Sequence, residues 1–322
     1  YRCRMTIFVF RTKVKNLRMN SFELSVLGCG SAFPTNRHNP SAQALCHHDR
    51  VFLIDCGEGT QQYYRRQGLK LGRLQHIFIS HLHGDHCLGL VGLISTLGLF
   101  DRGGEIIVHA VPDALRVFPP LFETFCHDLP FQVRIEPFSP FSPEIIYEDK
   151  TLTVKTLPLK HRIPTAGFLF EEKESPRHLL GDVAEFYKIP NFRRAEIKAG
   201  ADFVLPDGTV VPNDRLTRPA APPKRYAYCS DTAYSEKLIP WVEGVDLLYH
   251  EATFAHESVA LAKQTTHSTA RQAATIALWA GVKKLMIGHF SARYNDEKDL
   301  LAEACEVFPE TILAYEGLKY LF

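Results

Sequence analysis

The sequence predicts an α/β fold whose strands present functional side chains at their ends, and three observations carry that expectation. Short apolar, β-branched runs alternate with segments of helical pattern along most of the chain. One such run, His76-Ile77-Phe78-Ile79-Ser80, leads directly into His81-Leu82-His83-Gly84-Asp85-His86, which packs three imidazoles and a carboxylate into six residues. Farther on, Asp231, Glu251 and His289 each close an apolar strand-like run, as a site at one edge of a sheet sandwich requires.

Composition bounds the answer. With 322 residues the chain can bury a substantial core. Hydrophobic residues at 45% and charged residues at 23% exclude wholesale disorder. A net charge of +1 gives no global field for nucleic acid, so a polyanionic partner needs a local basic patch. No apolar run is long enough to span a bilayer, so no membrane association is expected. The eight cysteines include no Cys-x-x-Cys pair and several sit in apolar contexts; they read as buried free thiols in a reducing cytoplasm.

Taken in order, residues 1–18 carry six Lys/Arg and no acid. Met19 directly precedes the first strand-like segment, so 1–18 reads as a basic extension outside the fold and 19–322 as the domain. Strands are expected at Glu23–Gly28, Ser41–Leu45 and Val51–Ile54, with His47-His48-Asp49-Arg50 as a solvated hairpin tip. The glycine-rich turn after Asp55 opens a helix over Gln61–Gln67. Beyond the histidine-rich loop, Cys87 to Phe100 reads as helix. Then come a strand at Ile106–Ala110, a helix from Asp113 to Phe125, and strands at Val133–Glu136, Ile145–Glu148 and Leu152–Leu157. The last of these runs toward His161.

Residues 171–223 break the pattern. They hold seven prolines and little periodicity, and nine Lys/Arg face six Asp/Glu between Arg177 and Arg225. A segment that long without regular pattern rarely hides in a core, so a protruding surface insertion is expected. Alternation then returns, with a helix over Ser268–Ala280 that Ser268 caps, a strand Lys284–Gly288, a helix Asp296–Val307 and a last strand Thr311–Tyr315.

In an extended segment His81 and His83 point the same way, and Gly84 lets the backbone turn so that Asp85 and His86 face a second point nearby. Nitrogen and oxygen donors in two such pairs suit zinc. A merely hydrogen-bonded polar loop is the alternative, and three imidazoles in six residues weigh against it.

The hexad resembles the His-x-His-x-Asp-His signature of the metallo-β-lactamase superfamily. Gly28-Cys29-Gly30-Ser31-Ala32-Phe33-Pro34-Thr35, Ser230-Asp231-Thr232, His250-Glu251-Ala252-Thr253, His267-Ser268-Thr269 and Gly288-His289-Phe290-Ser291-Ala292-Arg293-Tyr294 are together similar to the ribonuclease Z family, the tRNA 3′-processing endonucleases. That resemblance implies a four-layer αβ/βα sandwich, a homodimer and two Zn2+ per chain. One zinc would take His81, His83, His161 and Asp231; the other would take Asp85, His86, Asp231 and His289, with Asp55 steadying the loop. Zinc-bound water titrates near about 7 rather than about 15.7, roughly 12 kcal/mol toward hydroxide at neutral pH. The implied reaction is attack by a metal-bridging hydroxide after the discriminator nucleotide of precursor tRNA, leaving a tRNA 3′-hydroxyl and a 5′-phosphate on the trailer.

Asp85 would orient or deprotonate the water, and His267, oriented by Glu251, would protonate the leaving oxygen. A capping histidine at a helix start is an equal reading of His267 from the residues alone. The insertion at 171–223 falls where the family carries its tRNA-gripping arm, and Arg193, Arg194 and Lys198 are expected to hold the tRNA backbone. The loop Pro34-Thr35-Asn36-Arg37-His38-Asn39 departs from the family pattern, with Asn36 and His38 at its basic positions. Two other functions use the same residues: a dizinc small-molecule hydrolase (phosphodiesterase or glyoxalase-type thioesterase), and a catalytically silent tRNA-binding protein.

Overall fold

The computed structural model describes residues 22–33, 35–100 and 103–322; the basic extension at 1–18 lies outside them. In chain order the first half supplies β1 (Phe22–Gly28), β2 (Ala42–His47), β3 (Arg50–Ile54), α1 (Thr60–Arg66), β4 (Leu74–Phe78), α2 (Gly84–Cys87), α3 (Gly89–Gly98), β5 (Glu105–Ala110), α4 (Ala114–Phe125) and β6 (Gln132–Pro137). A second sheet begins with β7 (Ile145–Glu148), β8 (Leu152–Pro158) and β9 (Ala166–Glu172). An insertion follows with β10 (His178–Leu179), α5 (Gly181–Phe186), α6 (Arg194–Lys198), β11 (Phe203–Val204), β12 (Val210–Val211), α7 (Asn213–Leu216) and β13 (Thr217–Arg218). The chain then returns through β14 (Arg225–Cys229), α8 (Ile239–Val242), β15 (Leu247–Glu251), α9 (Val259–Thr265), α10 (Ala270–Trp279), β16 (Leu285–Gly288), α11 (Lys298–Val307), β17 (Thr311–Leu313) and β18 (Lys319–Leu321).

Two seven-stranded sheets result, ordered β18-β1-β2-β3-β4-β5-β6 and β17-β16-β15-β14-β9-β8-β7. Period-two alternation decides what each face covers. Along β3, Phe52 and Ile54 enter the core shared with the second sheet, while Val51 and Leu53 pack beneath the helices of the first half. Phe78 of β4 meets Phe168 and Phe170 of β9 at 5.5 Å between ring centres, joining the sheets. Buried residues of α3 and α4 cover the outer face of the first sheet, and Ala270, Ala273, Ala274 and Leu300 of α10 and α11 cover that of the second. The architecture is the four-layer αβ/βα sandwich.

Strands β3 to β6 run parallel, as do β14 to β17, so their C-terminal ends gather at one edge of each sheet. The insertion carries its own small apolar cluster of Ala184, Ile189, Ile197, Phe203, Val211 and Leu216.

Three local expectations are corrected. Thr269, not Ser268, caps α10: its hydroxyl accepts from the Gln272 amide while the Gln272 side chain accepts from the Thr269 amide. Ser268 is buried and donates instead to the Thr232 carbonyl at 2.7 Å. His47 is not solvated; β2 continues through it, and its Nε2 lies 3.1 Å from Glu172. The helix expected from Cys87 to Phe100 is divided at Leu88 into α2 and α3.

Candidate metal centre

The histidine-rich loop is held from behind by its neighbour at the end of β3. Asp55, fully buried and at φ 56°, accepts from the Ser80 amide at 2.8 Å, the Ser80 hydroxyl at 2.9 Å, His86 Nδ1 at 2.7 Å and the Tyr228 hydroxyl at 2.6 Å. Backbone joins backbone alongside: the Cys56 amide donates to the His86 carbonyl and the Gly89 amide to the Cys56 carbonyl. The approach is so close that a Cβ on Gly89 would lie 1.9 Å from the Gly57 oxygen. Only glycine permits it.

On this frame two clusters form. His81 Nε2 lies 3.0 Å from His83 Nδ1 and 3.6 Å from Asp231 Oδ2. His161 Nε2 lies 3.2 Å from His83 Nδ1 and 3.7 Å from Asp231 Oδ2. In the second cluster His86 Nε2 and His289 Nε2 each lie 3.2 Å from Asp231 Oδ1 and 3.4 Å from Asp85 Oδ2. A zinc tetrahedron with bonds of about 2.0–2.1 Å has ligand–ligand edges of about 3.3–3.4 Å. Both clusters fit it, and Asp231 gives one oxygen to each.

Hydrogen bonds behind the rings aim lone pairs inward. His161 Nδ1 donates to the Thr266 carbonyl at 3.0 Å, and His86 Nδ1 donates to Asp55. The Ser80 hydroxyl gives its proton to Asp55, so it accepts from His81 Nδ1 at 2.9 Å. Likewise the Thr253 hydroxyl donates to Glu251 and accepts from His289 Nδ1 at 2.9 Å. With each Nδ1 carrying the proton, four Nε2 atoms face the centre as acceptors, the arrangement that orients metal-ligating histidines.

Charge asks for a cation. Burial, with His86 beside it, keeps His81 well below the usual imidazole range, and burial lowers His83 and His161 too. Asp231 and Asp85 are held low because facing imidazoles outweigh their burial. His86 is pushed well up despite burial by Asp231, Asp85 and Asp55. Among the described residues, no Lys or Arg pairs with these three carboxylates. Buried charges of this kind are paired or coordinate metals, so the donor set fits two divalent ions.

Beside the clusters, His267 Nδ1 lies 2.8 Å from Oε1 of the fully buried Glu251. Glu251 outweighs burial and raises His267 to about 9, which favours the protonated ring. That favours proton donation over metal ligation, although it shares a neighbourhood with Asp231 and His289. It lines a cavity of about 360 Å³ together with Asp85, His83, Asp231 and His289.

The structure therefore gathers His81, His83, Asp85, His86, His161, Asp231, His289, His267 and Glu251 at one edge of the sandwich. Arg193, Arg194 and Lys198 sit in the insertion, where Arg193 lies 3.2 Å from Glu196. Sequence reasoning missed Ser80, Tyr228, Thr253 and Thr266. Thr253 had a signal, its place directly after Glu251-Ala252 at a strand end; the others are found only from the contacts.

Residues 22–108 match the family model described as the Anti-Pycsar protein Apyc1. Over most of its length the chain is similar to Ribonuclease Z of Parabacteroides distasonis, at 53% identity over 301 residues covering 94% of this chain and 99% of that protein. Ribonuclease Z of Bacteroides thetaiotaomicron is 53% identical over 300 residues, covering 93% and 95%. Among solved structures, the short form of human tRNase Z superposes with a TM-score of 0.67 at 25% identity, covering 92% of this chain and 98% of that one. The metallo-β-lactamase fold protein YhfI of Bacillus subtilis superposes at 0.64 with 19% identity over 93% and 99% of the two chains, a likeness of fold. With half its residues identical across nearly the whole of both chains, the protein belongs to the ribonuclease Z family.

Proposed function

We propose that the seven side chains of the two clusters hold two zinc ions, and that this centre cuts precursor tRNA just after the discriminator nucleotide. The chain is an endoribonuclease of the tRNase Z type, a hydrolase that removes the 3′ trailer. The observation that carries the metal assignment is Asp231, whose two oxygens serve two sets of donors at tetrahedral spacing.

When bound, such a pair supplies a nucleophile from water at neutral pH and offsets charge on the phosphoryl oxygens. The chain's own residues do the rest. Asp85 stays ionised and faces the cavity, where it orients the attacking water and takes its proton. His267, kept protonated by Glu251, gives a proton to the departing 3′ oxygen. The tRNA keeps a 3′-hydroxyl and the trailer leaves with a 5′-phosphate.

Residues 171–223 act as the tRNA-gripping arm of the 19–322 domain, with Arg193, Arg194 and Lys198 on the phosphates. The chain forms a homodimer, for which the exposed Leu88, Leu99, Leu115 and Phe125 on and beside α3 and α4 offer apolar surface. Seven free cysteines among the described residues suit a cytoplasmic setting. No helix among the described residues is long and apolar enough to cross a membrane.

The test is cleavage of a precursor tRNA by the zinc-loaded chain, with both new ends mapped. The reading predicts a single cut after the discriminator with a 3′-hydroxyl upstream. Cleavage elsewhere, or a 2′,3′-cyclic end, contradicts it.

A further inference from the structure

Arg162 lines the 360 Å³ cavity beside Asp85 and His267, and it also lines a larger cleft of about 780 Å³ that opens next to it. The backbone of His161 forms part of the wall of that cleft while its buried ring faces His83 and Asp231, so Arg162 is the residue that joins the cleft to the cavity beside the centre. Its rim carries Lys160, Arg162 and Lys237, all exposed, and no acidic residue lines it. Elsewhere in the chain, arginines such as Arg37, Arg134, Arg177 and Arg225 are held by carboxylates. None of the three cleft cations pairs with a carboxylate among the described residues. In a chain of net charge +1 this is a local concentration of uncommitted positive charge.

Two aromatic rings face the same space. Phe141 is 77% exposed and Trp241 44%. Exposed rings beside unpaired cations are how proteins hold single-stranded nucleic acid, the rings stacking on bases and the cations tracking phosphates. The loop between them is firm: the Ala233 amide donates to the Lys160 carbonyl at 2.8 Å, and the Lys160 amide to the Thr232 hydroxyl at 3.1 Å.

We propose that this cleft binds the unpaired 3′ trailer of the substrate. The assignment rests on the endoribonuclease reading. An acceptor stem is an A-form duplex whose bases are paired and stacked on one another, whereas the strand beyond the scissile phosphate is single and free to unstack onto exposed rings. Lys160, Arg162 and Lys237 take its phosphates, and Phe141 and Trp241 stack its bases. The cleft thus sets a preference for precursors whose trailer is long enough to reach it.

The experiment compares two precursors of one tRNA, one with a minimal trailer and one with a long unstructured trailer, on the zinc-loaded wild type and on Phe141→Ala/Trp241→Ala and Lys237→Ala. Wild type should cleave the long-trailer substrate with the higher kcat/KM. The double variant should lose about tenfold on that substrate, about 1.4 kcal/mol, and keep the wild-type rate on the minimal one. Lys237→Ala should flatten the salt dependence for the long trailer alone. Thiouridine placed in the trailer should crosslink to the cleft. Equal losses on both substrates, or none on either, overturn the assignment while leaving the nuclease intact. Failure of wild type to cleave either substrate overturns the nuclease reading itself, and the trailer site with it.

Discussion

Glu251 holds His267 from behind at 2.8 Å and, with its other oxygen, holds the Thr253 hydroxyl that orients His289. One buried carboxylate therefore positions both the proposed proton donor and a side chain of the proposed metal centre. His267→Ala should lower kcat by about 10²–10⁴-fold with zinc content unchanged, which separates the donor role from a ligand role.

The same contact sets the pH dependence. Glu251 raises His267 from 6.5 to about 9, so the acid form persists through neutrality and activity should fall only as pH rises through about 9. In Glu251→Gln the alkaline limb of the kcat profile should move down toward the ordinary imidazole value. The linked stability has the same sign: the pair's contribution is whole below about 6.5 and is lost as pH passes through about 9. Thermal melts across that window check it.

Asp231 is shared and His161 is not. Asp231→Ala should abolish binding of both zinc ions, whereas His161→Ala should spare the site built on His86 and His289. Metal content per chain distinguishes the two variants.

Asp55 lies behind the centre, with four donors on one carboxylate. Asp55→Asn should lower zinc affinity by about 10–100-fold, the usual effect of disturbing a group behind a ligand, with a matching drop in Tm. Competition against a chelator measures the affinity.

In the arm, neutralising Arg193, Arg194 and Lys198 together should weaken precursor binding and reduce the salt slope by about 2 to 3, because each phosphate that goes without its cation removes about 0.7–0.9. An unchanged slope removes them from the interface.

Much of this was readable from the chain because the chemistry sits where periodicity stops. His81, Asp231, Glu251 and His289 stand at or just after the ends of short, nearly continuous apolar runs, so their place at a sheet edge follows from where each run stops. His161 is different: it stands alone, and only family resemblance linked it to the hexad before the fold brought its Nε2 to 3.2 Å from His83. The groups behind the ligands were illegible for a physical reason. Ser80, Tyr228 and Thr266 are ordinary strand or turn residues whose role arises from contacts across 25, 173 and 105 residues of chain. The interior of the insertion was illegible for another reason. Its small core of Ile197, Phe203 and Leu216 is too short in each element to show a period.

The most direct test strips the protein of metal and titrates zinc back while following cleavage of a precursor tRNA. Cleavage should be absent in the stripped chain and reach full activity at two zinc ions per chain. Cleavage that survives stripping, or that saturates at one equivalent, contradicts the two-zinc proposal.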